Sequence, residues 1–182
     1  MHNGGMDNQN VRRAQLYELH RVALINVHYY AERIAVWTRI NFWIQLVIAI
    51  LSSAALAAMV KVNGLAQEYA VWAGGAASIL AIYHSSANIT AKIGQWERMH
   101  SAYKMLYHSA ETLAKRTIGN QALTTEQVAV AEMLELQLAA LGPQDDIAPN
   151  ESVMSSAQKK VEAQLPDSYY YPDDVRQSPT AA

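Results

Sequence analysis

Residues 81–90 read AIYHSSANIT, which sets His84, Ser85, Ser86 and Asn88 inside a stretch with no formal charge. A second uncharged run carries Asn41 and Gln45. Asn41 with Gln45, and His84 with Asn88, are each spaced i, i+4, so each pair shares one helix face. Amides and an imidazole in such surroundings have two uses. They bond one another between helices, for roughly 0.5–2 kcal/mol each. Alternatively, in an oligomer, they ring an aqueous vestibule in which His84 responds to pH or gates. The sequence leaves both open.

Other chemistry is sparsely represented. The chain has no cysteine, hence no disulfide framework, thiolate zinc site or cysteine nucleophile. His20, His28, His100 and His108 lack the close HxxxH or HExxH spacing of a zinc site on one helix. They read as surface or interface histidines. There is no GxSxG elbow, no phosphate-cradling glycine loop and no paired-carboxylate signature, and Gly74-Gly75 reads as a packing feature. The expectation is a protein that is not an enzyme and needs no cofactor or metal.

The elements that must position the polar quartet are two charge-free runs, 40–60 (INFWIQLVIAILSSAALAAMV) and 69–91 (YAVWAGGAASILAIYHSSANITA). As helices each is ~30 Å long or slightly more, enough to cross the hydrocarbon of a bilayer. The mean hydropathy of -0.06 hides this because it averages dissimilar segments. Between the runs lies KVNGLAQE, whose Asn63-Gly64 is a turn signal. Trp37, Phe42, Trp43, Tyr69, Trp72 and Trp96 fall near the ends of the runs, where interfacial rings belong. That placement argues against a soluble bundle with two buried helices. The first run follows a charged, patterned segment without a cleavage site, so it reads as a permanent span and not a leader. Arg12, Arg13, Arg21, Arg33 and Arg39 precede the first run, and Lys92, Arg98, Lys104, Lys115 and Arg116 follow the second. The positive-inside rule then puts both ends in the cytoplasm.

The flanks, 11–39 and 92–118, contain no proline and only Gly94, and read as helices continuous with the spans. A fold at Asn63-Gly64 brings together residues whose numbers sum to about 130. In that register Ile34 meets Trp96, Leu24 meets Leu106, Glu32 lies near Arg98 and Arg33 near Glu97. The quartet then pairs as Asn41 with Asn88 and Gln45 with His84. The picture is an all-α protein, an integral membrane helical hairpin continuing into an antiparallel coiled-coil stalk over 11–118, after a disordered 1–10. In lipid, small residues let helices approach closely. Ala49, Ser53 and Ala57 on the first span, and Ala73, Ala77, Ala81 and Ser85 on the second, form such stripes. They serve packing within one hairpin or self-association into a homo-oligomer.

Beyond Gly119 the composition turns acidic. Residues 11–116 carry 11 basic and 5 acidic side chains, and 117–182 carry 3 and 10. Thr124 with Gln127 makes a capping box for a helix to about Leu141, closed by Gly142-Pro143. Asn150 caps a second through Leu165, stopped by Pro166. This short helical tail, 119–182, with a mobile end, serves solubility, folds on the basic stalk, or docks a cytosolic partner through Tyr169, Tyr170 and Tyr171.

The helix LYELHRVALINVHYYAERIAVWTRIN, the paired spans, and the helix WERMHSAYKMLYHSAETLAKR together resemble the SLATT superfamily over roughly residues 11–118. The resemblance implies a two-transmembrane effector domain of a bacterial conflict or anti-phage system, partnered with a cytosolic sensor protein or nucleotide signal. Such an effector oligomerises in the inner membrane when triggered and forms a pore or otherwise disrupts the bilayer. The family has no sharply defined motif, so it assigns no site residue here. No nucleic-acid partner is expected. The alternatives are a non-conducting membrane-anchored scaffold that recruits a cytosolic partner, and a phage holin or superinfection-exclusion protein.

Overall fold

The computed structural model describes the backbone of residues 4–60, 64–117, 124–145 and 149–165, with side chains at 14–55, 68–116, 124–145 and 149–165. Among the described residues every element is helical: α1 (Gly4–Val60), α2 (Gly64–Ser86), α3 (Ile89–Thr117), α4 (Thr125–Leu141), a 3₁₀ turn at Gly142–Gln144 and α5 (Glu151–Gln164). After Gly5, α1 meets neither glycine nor proline, so nothing interrupts its hydrogen-bond ladder. The stretch Ala14–Ala55 of α1 is long and apolar enough to cross a membrane, and it is the one helix among the described residues that is so. The Asn63-Gly64 turn signal lies at the edge of the described residues, and residues 61–63 lie outside them.

One expectation is corrected. The second charge-free run is not a helix continuous with its flank, because α2 ends at Ser86 and α3 begins at Ile89. Asn88 stands between them in the left-handed region, at φ 50°. Asparagine is, with glycine, a residue that accepts that conformation at small cost. The ends are nevertheless bonded: Ala87 donates to the Tyr83 carbonyl at 2.8 Å, and Lys92 donates to that of Asn88 at 3.1 Å.

The chain divides into two compact units, one of Met1–Glu32 with Glu97–Ala182 and the other of Arg33–Trp96. The first has an aqueous-style core. Leu16, Leu19, Ala23, Leu24, Tyr29 and Tyr30 of α1 are buried, as are Met99, Tyr103, Leu106, Ala110 and Leu113 of α3, Leu134 of α4 and Ala157 and Val161 of α5. His20 lies 4.9 Å from the Tyr107 ring and Tyr30 stacks on Tyr103 at 5.9 Å. The His100 Nδ1–H donates to the Val27 carbonyl at 3.1 Å. Numbers rise along α1 as they fall along α3, so the two run antiparallel here.

The tail helices belong to the same core. The Thr124 capping box forms in both directions, with Gln127 N–H to Thr124 Oγ1 at 3.3 Å and Thr124 N–H to Gln127 Oε1 at 2.9 Å. Asn150 caps α5 through the Val153 N–H at 3.2 Å. Along α5, Gln164 bonds His28 at 2.9 Å, while Lys160 and Ser156 bond Glu32 at 2.9 and 3.4 Å. The apolar side chains Ala157 and Val161 lie beneath that polar edge, buried.

His20 is 2% exposed. Burial, chiefly, lowers its pKa from 6.5 to about 4, with Glu111 opposing the shift and Lys115 adding to it. The folded state therefore holds a neutral ring where the unfolded chain takes a proton first as pH falls. The stability this contributes is complete above pH 6.5 and is lost between pH 6.5 and 4. We expect amide protection in α1 and α3 to decline over that window in detergent, by up to about 3 kcal/mol, and His20→Phe to flatten the decline. Equal acid sensitivity in both proteins would show that another group is responsible.

Candidate functional site

The Arg33–Trp96 unit carries the polar quartet and inverts the usual arrangement of side chains. On α2 the buried residues are small: Ala70 at 3% exposed and Ala77 at 5%. The large ones face outward: Tyr69, Val71, Trp72 (78% exposed), Ile79, Ile82 and Tyr83. On α1, Val36, Phe42, Trp43, Val47 and Ile50 are likewise exposed, whereas Ala55 is buried. A water-soluble surface rarely presents so continuous an apolar area. Small residues at the helix contact with bulky ones outside is the pattern of helices packing in lipid.

A close approach of the two helices involves the same kind of residue. A Cβ placed on Gly74 would lie 3.8 Å from that of Ala55. Of the two small-residue stripes, Ala77 is buried and Ala73 half-buried, whereas Ala49, Ser53, Ala81 and Ser85 are exposed. Ala57 lies outside the described side chains. The face in contact is thus centred on Ala55, Ala70, Gly74 and Ala77, one of several faces on which small residues recur.

Within the quartet the structure brings together Asn41 and His84, whose Nε2 lies 2.5 Å from Asn41 Oδ1. The imidazole donates through Nε2–H, since a carbonyl-type oxygen can only accept. Gln45 is exposed, and so is the side chain of Asn88 in its turn. His84 thus meets Asn41, one helical turn from Gln45, the residue the uniform register puts opposite it. One helical turn from Asn41 along α1 the contact becomes aromatic. Trp37 packs on Trp96 at 5.9 Å, and the Arg33 guanidinium sits 4.6 Å above the Trp96 ring. Such a cation–π contact is worth ~0.5–2 kcal/mol, depending on exposure.

The residues expected to form interhelical ion pairs have other described neighbours. Glu32 accepts from Lys160 and Ser156, Arg33 covers Trp96, and Glu97 and Arg98 are exposed. The four flank histidines are dispersed: His20 against Tyr107, His28 on Gln164, His100 on the Val27 carbonyl, and His108 3.5 Å from Glu111. Among the described residues no three His, Asp or Glu side chains converge as metal ligands would. Tyr169, Tyr170 and Tyr171 lie outside the described residues.

One polar cluster was not anticipated. Asp145, just past the 3₁₀ turn, accepts from two buried phenols: Tyr30 donates to Oδ1, and Tyr103 to Oδ2 at 2.8 Å. Burial first, and the carboxylate second, push the Tyr103 phenol well above its ordinary pKa, so it stays protonated and donating. Nearby, the Asn150 N–H donates to the Tyr29 hydroxyl at 3.2 Å. The adjacent tyrosines at 29 and 30, and the Asp145-Asp146 pair after a helix stop, are the only sequence signals of this cluster, and neither names the other.

These features define a class: an all-helical protein with one helix long and apolar enough to span a membrane and a largely apolar exterior around residues 33–96. Comparisons with family models, with curated proteins and with solved structures return no match.

Two outcomes follow. Asn41→Leu and His84→Leu should each weaken the α1–α2 contact by about 0.5–2 kcal/mol, and the double variant should lose no more than either single one. Additive losses, measured by disulfide-trapping equilibria between introduced cysteines in detergent, would mean the two side chains act independently. At Gly74, alanine should be accepted, since its Cβ makes an ordinary 3.8 Å contact. Gly74→Ile should force the helices apart and abolish the same trapping.

Proposed function

We propose that the chain is a two-span membrane effector of the SLATT type, a helical hairpin with both termini cytoplasmic that assembles in the bacterial inner membrane and permeabilises it when triggered. The observation that carries the membrane part is the inverted α1–α2 packing: Gly74 approaches Ala55 and Ala70 and Ala77 are buried, while Trp72, Ile79, Ile82, Phe42 and Trp43 stand outside. In water those side chains would each gain roughly 1.5–3 kcal/mol by burial, so their exposure favours an apolar solvent. α2 itself is diluted by Ala, Gly and Ser, and its place in the bilayer rests on pairing with α1. Antiparallel contacts in both units support the hairpin, and those of α1 with α3 support its continuation as a stalk.

The effector part rests on the residues shared with the SLATT pattern and on polar groups at span depth. Gln45 and Asn88 are exposed there, and polar side chains facing lipid are costly unless they meet water or one another. A second copy, or a ring of copies, would supply that partner. One observation favours the non-conducting scaffold instead: the Asn41–His84 bond closes within a single chain, removing two of the four groups that a vestibule needs.

The test is expression from a tight promoter with membrane fractionation and a potential-sensitive dye. The protein should sediment with membranes and stay there in alkaline carbonate, and induced cells should depolarise. Gln45→Leu with Asn88→Gly, which keeps the turn backbone, should cut depolarisation severalfold without loss from the membrane. Retention with full potential in every condition would favour the scaffold. Recovery in the soluble fraction would remove the membrane reading altogether.

A further inference from the structure

The contact that joins the acidic tail to the helices before and after the spans is small, polar and buried at its donor end, which is the construction of a catch. Tyr30 and Tyr103 are 0% and 2% exposed and stack on each other, and both hydroxyls point to one carboxylate, that of Asp145. Tyr29, 0% exposed and edge-on to Tyr30, takes the Asn150 N–H at the start of α5. Three phenols from α1 and α3 therefore grip the two ends of the α4–α5 connector. Along α5 the other ties are His28–Gln164 and Glu32–Lys160, both exposed, where such pairs contribute little, and a long, part-buried Ser156–Glu32 bond at 3.4 Å. The apolar part of the α5 contact is confined to Ala157, Val161 and Leu165.

We propose that Asp145 is the catch of an autoinhibitory latch: its carboxylate, held by Tyr30 of α1 and Tyr103 of α3, keeps α5 on α1, and its release frees the tail and switches the protein on. The switching clause rests on the effector reading above; the latch itself does not. Charge-assisted bonds of this kind are about twice as strong as neutral ones. They also fail asymmetrically, because a buried donor that loses its charged acceptor costs more than the bond was worth. The α1–α3 pairing has support beyond Asp145, since Leu16, Leu19, Leu106 and Leu113 are buried in other turns of the same two helices. Release of the tail can therefore precede any loss of the main core. It would uncover a strip containing Tyr29 and Glu32, which α5 and its cap touch, beside the Tyr30 and Tyr103 hydroxyls that Asp145 now holds. A trigger need only compete for that strip or for α5, because a ligand shifts such an equilibrium by its differential affinity for the two states.

The test uses the full chain in phosphatidylglycerol–phosphatidylcholine vesicles, comparing wild type with Asp145→Asn and with Tyr30→Phe/Tyr103→Phe, which removes only two oxygens and keeps the stacked rings. Amide exchange of α5 and release of an entrapped dye are read on the same samples. The latch requires α5 to exchange about tenfold faster or more in both variants, with α1 and α3 at wild-type rates and dye release raised severalfold. Exchange of α5 at the wild-type rate in both variants overturns it. So does loss of α1 and α3 protection along with α5, which would make Asp145 part of the core. Release of α5 with dye efflux equal to that of a leaking wild type overturns the autoinhibitory role alone. If no preparation leaks although α5 is freed, the pore reading fails and the latch stands as a conformational element.

Discussion

The structure depends on one constraint: a helix satisfies its own backbone donors and acceptors, so its side chains are free to face whatever solvent surrounds it. In the Arg33–Trp96 unit that freedom is used in an unusual direction. Close approach at Ala55 and Gly74 needs small residues, and the helix contact collects them while the bulky side chains are left outside. Dispersion and interhelical bonding then hold the pair, as they must where the surroundings are as apolar as the side chains. The Asn41–His84 bond fits that regime, because a polar group there has few alternatives to its neighbour.

The other unit follows the opposite logic. Most of its large apolar and aromatic side chains are inside, with Met105, Met133 and Leu136 as exposed exceptions, and the buried hydroxyls of Tyr29, Tyr30 and Tyr103 are bonded. The neutral His20 and the protonated Tyr103 are two results of the same desolvation, one ring denied a proton and the other kept from losing one. Exposed ties such as Lys115–Glu111, at 2.7 Å, hold the Glu111 carboxyl below its ordinary range. Such exposed pairs within one helix stabilise it only slightly.

Helix ends governed by local chemistry were legible in the sequence. Thr124-Gln127, Asn150 and Pro143 announce the limits of α4 and α5 because a cap acts within three residues of itself. The long apolar helix was legible because charge is absent over a whole span. Features set by long-range geometry were not. Asn88 breaks the second run through its backbone angle, which no periodicity encodes. That break coincides with the arrival of His84 at Asn41, a turn away from the partner a uniform register assigns. Small residues recur on several faces of both helices, so spacing could not choose the face around Ala55 over that of Ala49 and Ser53. Asp145 meets Tyr30 across 115 positions of chain, and Glu32 finds Lys160 across 128. Charge counting can suggest that an acidic tail meets a basic segment, but it cannot name the atoms.

The placement of chromophores has its own consequence. All four indoles, Trp37, Trp43, Trp72 and Trp96, fall in the Arg33–Trp96 unit, and none lies elsewhere in the chain. Intrinsic fluorescence excited at the red edge therefore samples that unit by itself, with Trp43 and Trp72 reporting the polarity of the medium and Trp37 and Trp96 the helix contact. Events confined to the tyrosine-rich core leave that emission silent. The molecule thus carries a native optical label on one of its two bodies, and needs no introduced dye to separate a change of solvent from a change of fold.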